Sequence, residues 1–292
     1  MSDLDLRLVR SFAVVAEHRH FGRAAAELHL TQSSLSRQIV RLERQVGVRL
    51  LDRTPQGTRL TEAGEAFLPL AADVLRAAAD AVARARATAH PSRITVGFTG
   101  NLIVTPAVRE LRRHHPGAEV RTQHLPWDGA RAALLEHRVD VAVVRLPLQA
   151  AQLHVTVLYD EPRVLLVPCE HRLAGKESVT LADIADEPLP RALDAEWDAF
   201  WRVDPRPDGR AAPGGPLVEA VEDKIELVAS GQAVAIIPAL PAAVTGYRAD
   251  LTTVPLEGVE PSRVAVVTRA SERNRLVAAF REYARALLTP PE

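Results

Sequence analysis

The chain is poor in thiols and in lysine. Cys169 is its only cysteine, and Lys176 and Lys224 are its only lysines; the rest of its 36 basic side chains are arginines. One cysteine excludes an intrachain disulfide and a cysteine-based metal cluster, and a thiol switch would lack its resolving partner. No apolar run approaches the ~20 residues that a membrane span needs. Asp3 and Asp5 interrupt any basic-then-apolar leader. These absences lead to the expectation of a soluble, cytoplasmic protein with no membrane partner. Catalytic signatures are missing too: no Walker A lysine loop, no G-x-S-x-G elbow and no paired histidines at helical spacing. Cys169 and His171 stand two apart in PCEH, without a second cysteine or a histidine-rich neighbourhood. A zinc site wants four ligands and a catalytic cysteine wants a positioned base. No catalytic residue, metal or cofactor is therefore expected.

At 292 residues the chain is too long for one typical core, so two or three compact units are expected. Its formal net charge of −1 implies no partner by itself. The distribution of charge says more, because ten arginines face six acids through residue 61. The N-terminal segment is locally basic.

Leu8, Phe12 and Val15 recur at helical spacing and predict a helix over residues 5–18. Phe21, Ala24, Ala25 and Leu28 predict a shorter second helix. After a brief turn, TQSSLSRQIVRLERQVG (31–47) predicts a third. Its buried stripe is Leu35, Ile39, Leu42 and Val46, Thr31 is a plausible N-cap, and Gly47 stands where helices end in a left-handed residue. Opposite the stripe lie Ser33, Arg37, Val40 and Arg44, with Ser36 beside them. Gln32, Ser33 and Ser36 offer short hydrogen-bonding groups, Arg37 can reach a guanine edge, and Arg41 and Arg44 can reach phosphates. Two short helices, a turn and such a third helix describe a helix-turn-helix. Taken alone, a serine- and arginine-bearing face also fits plain solvated surface. The continuation VRLLDRTPQGTRLTEAG adds two β-prone runs around Pro55, Gln56 and Gly57, a small wing that offers Arg53, Thr54 and Arg59 to phosphate or a minor groove.

FGRAAAELHLTQSSLSRQIVRLERQVGVRLLDRTPQGTRLTEAGEAFLPLA resembles the winged helix-turn-helix and following helix of LysR-type transcriptional regulators. The matching elements are the paired alanines, the TQSSLSRQI start, the LE…VG end, the L-x-R wing and the LTEAG entry. Leu51 departs from the phenylalanine usual there, apolar for apolar. The resemblance implies double-stranded operator or promoter DNA as partner, with contacts at Gln32, Ser33, Ser34, Ser36, Arg37 and Arg53.

From Thr61 an apolar pattern runs to about Thr88, with Phe67, Val74 and Ala81 seven apart, as are Leu68, Leu75 and Val82. Pro69 inside it should remove one backbone bond and introduce a kink. The stripe is too apolar to stay single in water. It packs either on its own chain or on a second copy, and the resemblance favours a homodimer through this linker helix, assembled into a homotetramer. It also implies control of a neighbouring divergent gene, with RNA polymerase a partner if the output is activation.

Past HPSR (90–93) strands and helices alternate, which predicts parallel α/β sheets. RITVGF, AEVRTQH and VDVAVVR read as strands, and the pattern restarts at PRVLLVP. Two lobes follow, with crossings near Asp160–Arg163 and Glu260–Arg263. The expected organisation is a winged helix-turn-helix domain at 1–61, a linker helix at 62–89 and an α/β effector domain at 90–292. Within the last, lobe 1 takes about 92–161 and 263–292, and lobe 2 about 162–262. The resemblance implies a type 2 periplasmic-binding-protein-like form for it.

Ligands in open α/β sheets sit at the carboxyl ends of strands. That rule selects Thr99, Gly100, Asn101, Trp127, Asp128 and Arg145 from lobe 1, and Arg191, Trp197 and Glu222 from lobe 2. Each also has a purely structural role open to it: Thr99, Asn101 and Asp128 as caps, Arg145 as partner of an acid, Trp197 as core. Arg145 and Arg191 favour a small carboxylate-bearing effector; Asp128, Asp194, Glu196 and Glu222 argue against simple anion selectivity. A small-molecule binding or catalytic module with an unrelated helical N-terminus is the competing function class.

Overall fold

The computed structural model describes residues 4–54, 57–89, 92–239 and 248–290. The chain divides into two compact units, Met1–Arg86 and Ala87–Glu292.

In the first unit, α1 (Leu6–His18) begins at Asp5, whose carboxylate accepts from the Arg7 N–H. α2 (Phe21–Glu27) begins at His20, whose Nδ1 accepts from Gly22 N–H. α3 (Gln32–Val46) begins at Thr31, whose hydroxyl accepts from Ser34 N–H at 3.2 Å. It ends at Gly47, at φ 84°, a left-handed position that glycine occupies without strain. Phe12, Val15, Leu35, Ile39 and Leu42 meet in one core, sealed by Leu50. The wing is the antiparallel pair β1 (Leu51–Thr54) and β2 (Gly57–Leu60), with Leu51 opposite Leu60. Its turn residues, Pro55 and Gln56, lie outside the described residues. Glu43, the first acid of α3, binds the wing to the helix: its carboxylate accepts from Leu50 N–H at 2.8 Å and Leu51 N–H at 3.1 Å.

α4 (Glu62–Ala89) starts where the Thr61 hydroxyl accepts from Gly64 N–H, and it continues through Pro69. Its apolar residues have two fates. Phe67, Leu68, Ala71 and Leu75 pack on the core of the first three helices, Phe67 lying 5.4 Å from the Phe12 ring. Leu70, Val74 and Val82 stay exposed.

The second unit is built on two main sheets. One has the order β4-β3-β5-β12-β6. β3 (Arg93–Thr99) runs parallel to β4 (Glu119–Leu125) and β5 (Val141–Arg145). β12 (Ser262–Arg269) runs antiparallel to β5 and to β6 (Leu153–Glu161). Along β5 the side chains alternate between two cores. Val141 and Val143 face α5 (Thr105–His114) and α9 (Arg275–Leu287), while Ala142 and Val144 face α6 (Ala130–Leu135). Burial on both faces is why VAVVR reads as an unbroken apolar run.

The other sheet has the order β10-β7-β11, with β10 (Ala235–Pro238) and β11 (Leu251–Pro255) both antiparallel to β7 (Arg163–Pro168). It packs with α7 (Ala195–Arg202) and α8 (Val221–Ala229), beside a short parallel pair, β8 (Leu189–Arg191) and β9 (Gly214–Leu217). The expectation of parallel sheets is corrected here. The first sheet is mixed because the chain leaves it along β6 and returns along β12, and the second is antiparallel around β7. The passages between the sheets are tied together: Arg163 Nε donates to the Glu260 carbonyl at 2.6 Å, and another guanidinium nitrogen donates to the Phe200 carbonyl.

Candidate functional site

Two surfaces are of interest. On α3, Leu35, Ile39 and Leu42 turn inward while Gln32, Ser33, Arg37, Arg41 and Arg44 are exposed, with Val40 among them at 47% exposure. Ser34 and Ser36 are half-buried, and the Ser34 N–H is taken by the Thr31 cap. The outer face thus carries short polar groups at the positive end of the helix dipole, then arginines. Arg53 and Thr54 lie on β1.

The second surface is a cavity of about 420 Å³ between the two sheets of the second unit. Thr99, Gly100 and Asn101 reach it from the end of β3, Trp127 from beyond β4, and Arg145 from the end of β5. Trp197 and Trp201 of α7, Lys224 and Ile225 of α8, Ile236 of β10, and Arg248 with Leu251 close it from the other side. Trp127 spans the sheets. Its ring stacks on Trp197 with centroids 5.2 Å apart, and its indole N–H donates to the Glu219 carbonyl at 3.2 Å. Gly100 sits at φ 52°, and a Cβ there would lie 2.9 Å from an Arg145 nitrogen, so a side chain would be both strained and crowded.

Of the nine residues selected by the strand-end rule, Thr99, Gly100, Asn101, Trp127, Arg145 and Trp197 line this cavity. Arg191 lines a smaller recess beside it, shared with Trp127, Trp197 and Lys224. Asp128 and Glu222 line neither. Burial and the neighbouring Asp194 carboxylate hold the Asp128 carboxyl above its ordinary range. Sequence reasoning missed Trp201, Lys224 and Arg248. The available signal for Lys224 was its rarity, one of two lysines in an arginine-rich chain, on a helix already placed at the cleft.

The charges on the wall are unequal. Arg145 is bonded twice to Glu161 inside the protein. Arg248 is bonded to Glu226 and Asp250, which hold its guanidinium further into the charged form. Lys224 has no acid partner among the described residues, and burial pushes its ammonium down to about 8. No carboxylate lines the cavity among the described residues.

Cys169 is exposed, its thiol 3.4 Å from the Ala249 carbonyl, and His171 pairs with Glu187. Among the described residues no cluster of histidine, cysteine and acids could hold a metal ion, and no helix is long and apolar enough to cross a membrane.

Residues 6–65 match the family model of the bacterial regulatory helix-turn-helix protein, lysR family, and residues 87–289 match that of the LysR substrate binding domain. The HTH-type transcriptional regulator AlsR of Bacillus subtilis is 34% identical over 203 residues, which are 68% of this chain and 67% of that protein. The HTH-type transcriptional regulator BudR of Raoultella terrigena is 27% identical over 96% of this chain and 99% of its own. Full-length CbnR, solved in complex with its target DNA, is similar at a TM-score of 0.52 and 25% identity, covering 98% of this chain and all of that one. The helix-turn-helix unit and the two-sheet unit coincide with the residues that the two family models match: the chain belongs to the LysR family of DNA-binding transcriptional regulators with an effector-binding domain, and it is not an enzyme.

Proposed function

We propose that this regulator reads operator DNA through the outer face of α3 and the wing, and that a small carboxylate-bearing metabolite bound in the inter-sheet cavity controls it. The observation that carries the ligand assignment is the sign of the cavity wall: Arg145, Lys224 and Arg248 are its charged residues among those described. Thr99 and Asn101 add neutral hydrogen-bonding groups at a strand end, where ligands of open α/β sheets sit. Gln32, Ser33, Ser34, Ser36, Arg37 and Arg41, with Arg53 and Thr54 of the wing, are the proposed DNA contacts. The exposed row Leu70, Val74 and Val82 of α4 suits pairing with a second copy, since such a row has no reason to stay in water. A homodimer, and a homotetramer built from it, would present paired recognition helices to half-sites about one turn apart. RNA polymerase is a further partner if the output is activation, and the bacterial nucleoid is the proposed location.

Control requires that the ligand bind two states of the protein with different affinity. A change in the angle between the lobes, passed through the paired linker helices, would alter the spacing of the recognition helices. A thermal-shift screen of the full-length protein against acids and amines tests the ligand class. A ligand at a hundred times its Kd should stabilise by ~2.7 kcal/mol. DNase footprints with and without a hit then test control; identical footprints and identical DNA bend would sink the reading.

A further inference from the structure

We infer that the effector is a small arene monocarboxylate, and that Lys224, rather than Arg145, holds its carboxylate. This rests on the reading of the cavity as the effector site and names the ligand more narrowly. Among the described residues three cations stand on the cavity wall, and two of them are already committed. Arg145 gives Nε and a terminal nitrogen to Glu161 at 2.7 and 3.0 Å, and both side chains are buried. Arg248 is held by Asp250 and Glu226. Lys224 has three N–H donors and no partner among the described residues. Asp198, which lines the adjoining recess together with Lys224, has both oxygens engaged, one by the Ala192 N–H at 2.7 Å and one by Arg202 at 2.9 Å.

One uncommitted cation calls for one anionic group. The remaining wall carries no charge among the described residues: Thr99, Asn101, Thr252 and Thr253 are its neutral polar groups, and Trp127, Trp197, Trp201, Ile225, Ile236 and Leu251 make it mainly apolar. A second carboxylate would lie against this wall without a counter-charge, which burial penalises heavily. A ring would instead meet the indole faces, where aromatic pairs gain beyond their buried area. The volume of about 420 Å³ is at the small end of ligand pockets, suited to a single ring with a short acid arm.

The chain holds three tryptophans, and all three line this cavity, so intrinsic fluorescence reports on it directly. Full-length protein would be titrated with benzoate, phenylacetate and 3-phenylpropionate. Their amides, benzylamine, succinate and phthalate serve as matched comparisons. At least one arene monocarboxylate should quench saturably, with its amide at least tenfold weaker. Lys224→Met should weaken that acid at least tenfold while operator binding is retained and Tm does not fall, since the buried charge that burial disfavours is removed, and Lys224→Arg should retain most of the affinity. Equal binding of acid and amide to the native protein, tighter binding of a dicarboxylate, or an unchanged Kd in Lys224→Met would overturn the inference. If only a dicarboxylate or the amine quenches, the ligand class is wrong and the cavity reading survives. If none of these compounds quenches while operator DNA binds normally, the inference falls, and the effector-site reading loses its support with it.

Discussion

Arg145 and Glu161 are joined by two hydrogen bonds, 2.7 and 3.0 Å long, with their side chains only 7% and 3% exposed. They stand at the ends of β5 and β6, on opposite sides of β12, whose Val264 and Ser262 are their respective backbone partners. The pair welds the end of the first sheet and takes Arg145 out of the contest for ligand charge. Glu161→Ala should therefore destabilise the protein by ~3–5 kcal/mol, because it leaves a buried guanidinium unpaired. Replacing both residues by methionine should cost much less. Urea denaturation of the two variants decides it; equal losses would mean that packing, not charge, governs the site.

Alkali should raise the stability of the ligand-free protein while lowering its affinity for the ligand. Burial lowers the Lys224 ammonium from 10.5 to about 8, so above that pH the folded protein binds fewer protons than the unfolded chain. Lys224 therefore makes stability rise with pH between about 8 and 10.5. Carboxylate affinity needs the ammonium and should fall by about tenfold per pH unit above that pKa. The charged groups around Lys224 are Arg191 and Asp198 of the recess, Arg145 and Arg248 across the cavity, and Glu222, Asp223 and Glu226 of its own helix. None is a histidine or a cysteine. Fluorescence titrations from pH 6.5 to 9.5 would show the decline in native protein, and Lys224→Arg should flatten it.

Arg37→Ala should weaken operator binding by ~1–3 kcal/mol and relax preference at one or two base pairs, the signature of a lost base-edge contact. Anisotropy titrations against operator and single-substitution duplexes provide the test. A uniform loss across all duplexes would reassign Arg37 to phosphate.

Glu43→Ala removes the acceptor shared by two N–H groups at the start of the wing. A loss of ~1–3 kcal/mol is expected for a charged acceptor taken from partly buried donors. Operator affinity should drop with it, while the tryptophan signal of the effector unit stays as it was. Thermal unfolding followed by circular dichroism, read beside that fluorescence, separates the two.

What could be read from the sequence was what short-range spacing encodes. Leu35, Ile39 and Leu42 gave α3 its buried stripe, and Thr31 and Gly47 marked its ends, because caps and helical period are local. Strand ends such as Thr99–Asn101 could be placed because a turn into a helix is local too. The commitments of the charged residues could not. Arg145 finds Glu161 only across β12, a strand more than a hundred residues later in the chain, and Lys224 is distinguished by having no acid partner among the described residues. Strand direction was missed for the same reason: β12 is as apolar as a parallel strand, and only its route back into the sheet sets its sense. β9, GGPL, has no strand-like composition at all.

The return of β12 also dictates an order of events during synthesis. β3, β4, β5 and β6 leave the ribosome early, but in the finished sheet β6 pairs with β12 alone among the described strands, and one edge of β5 waits for it as well. Roughly 115 residues separate the end of β5 from the start of β12. At ~5–20 residues per second that is on the order of ten seconds with two open strand edges. The second lobe can close within that interval, since its strands lie between the two. The nascent first lobe is therefore the stretch where a trigger-type chaperone, or a neighbouring chain on the same message, has its opportunity.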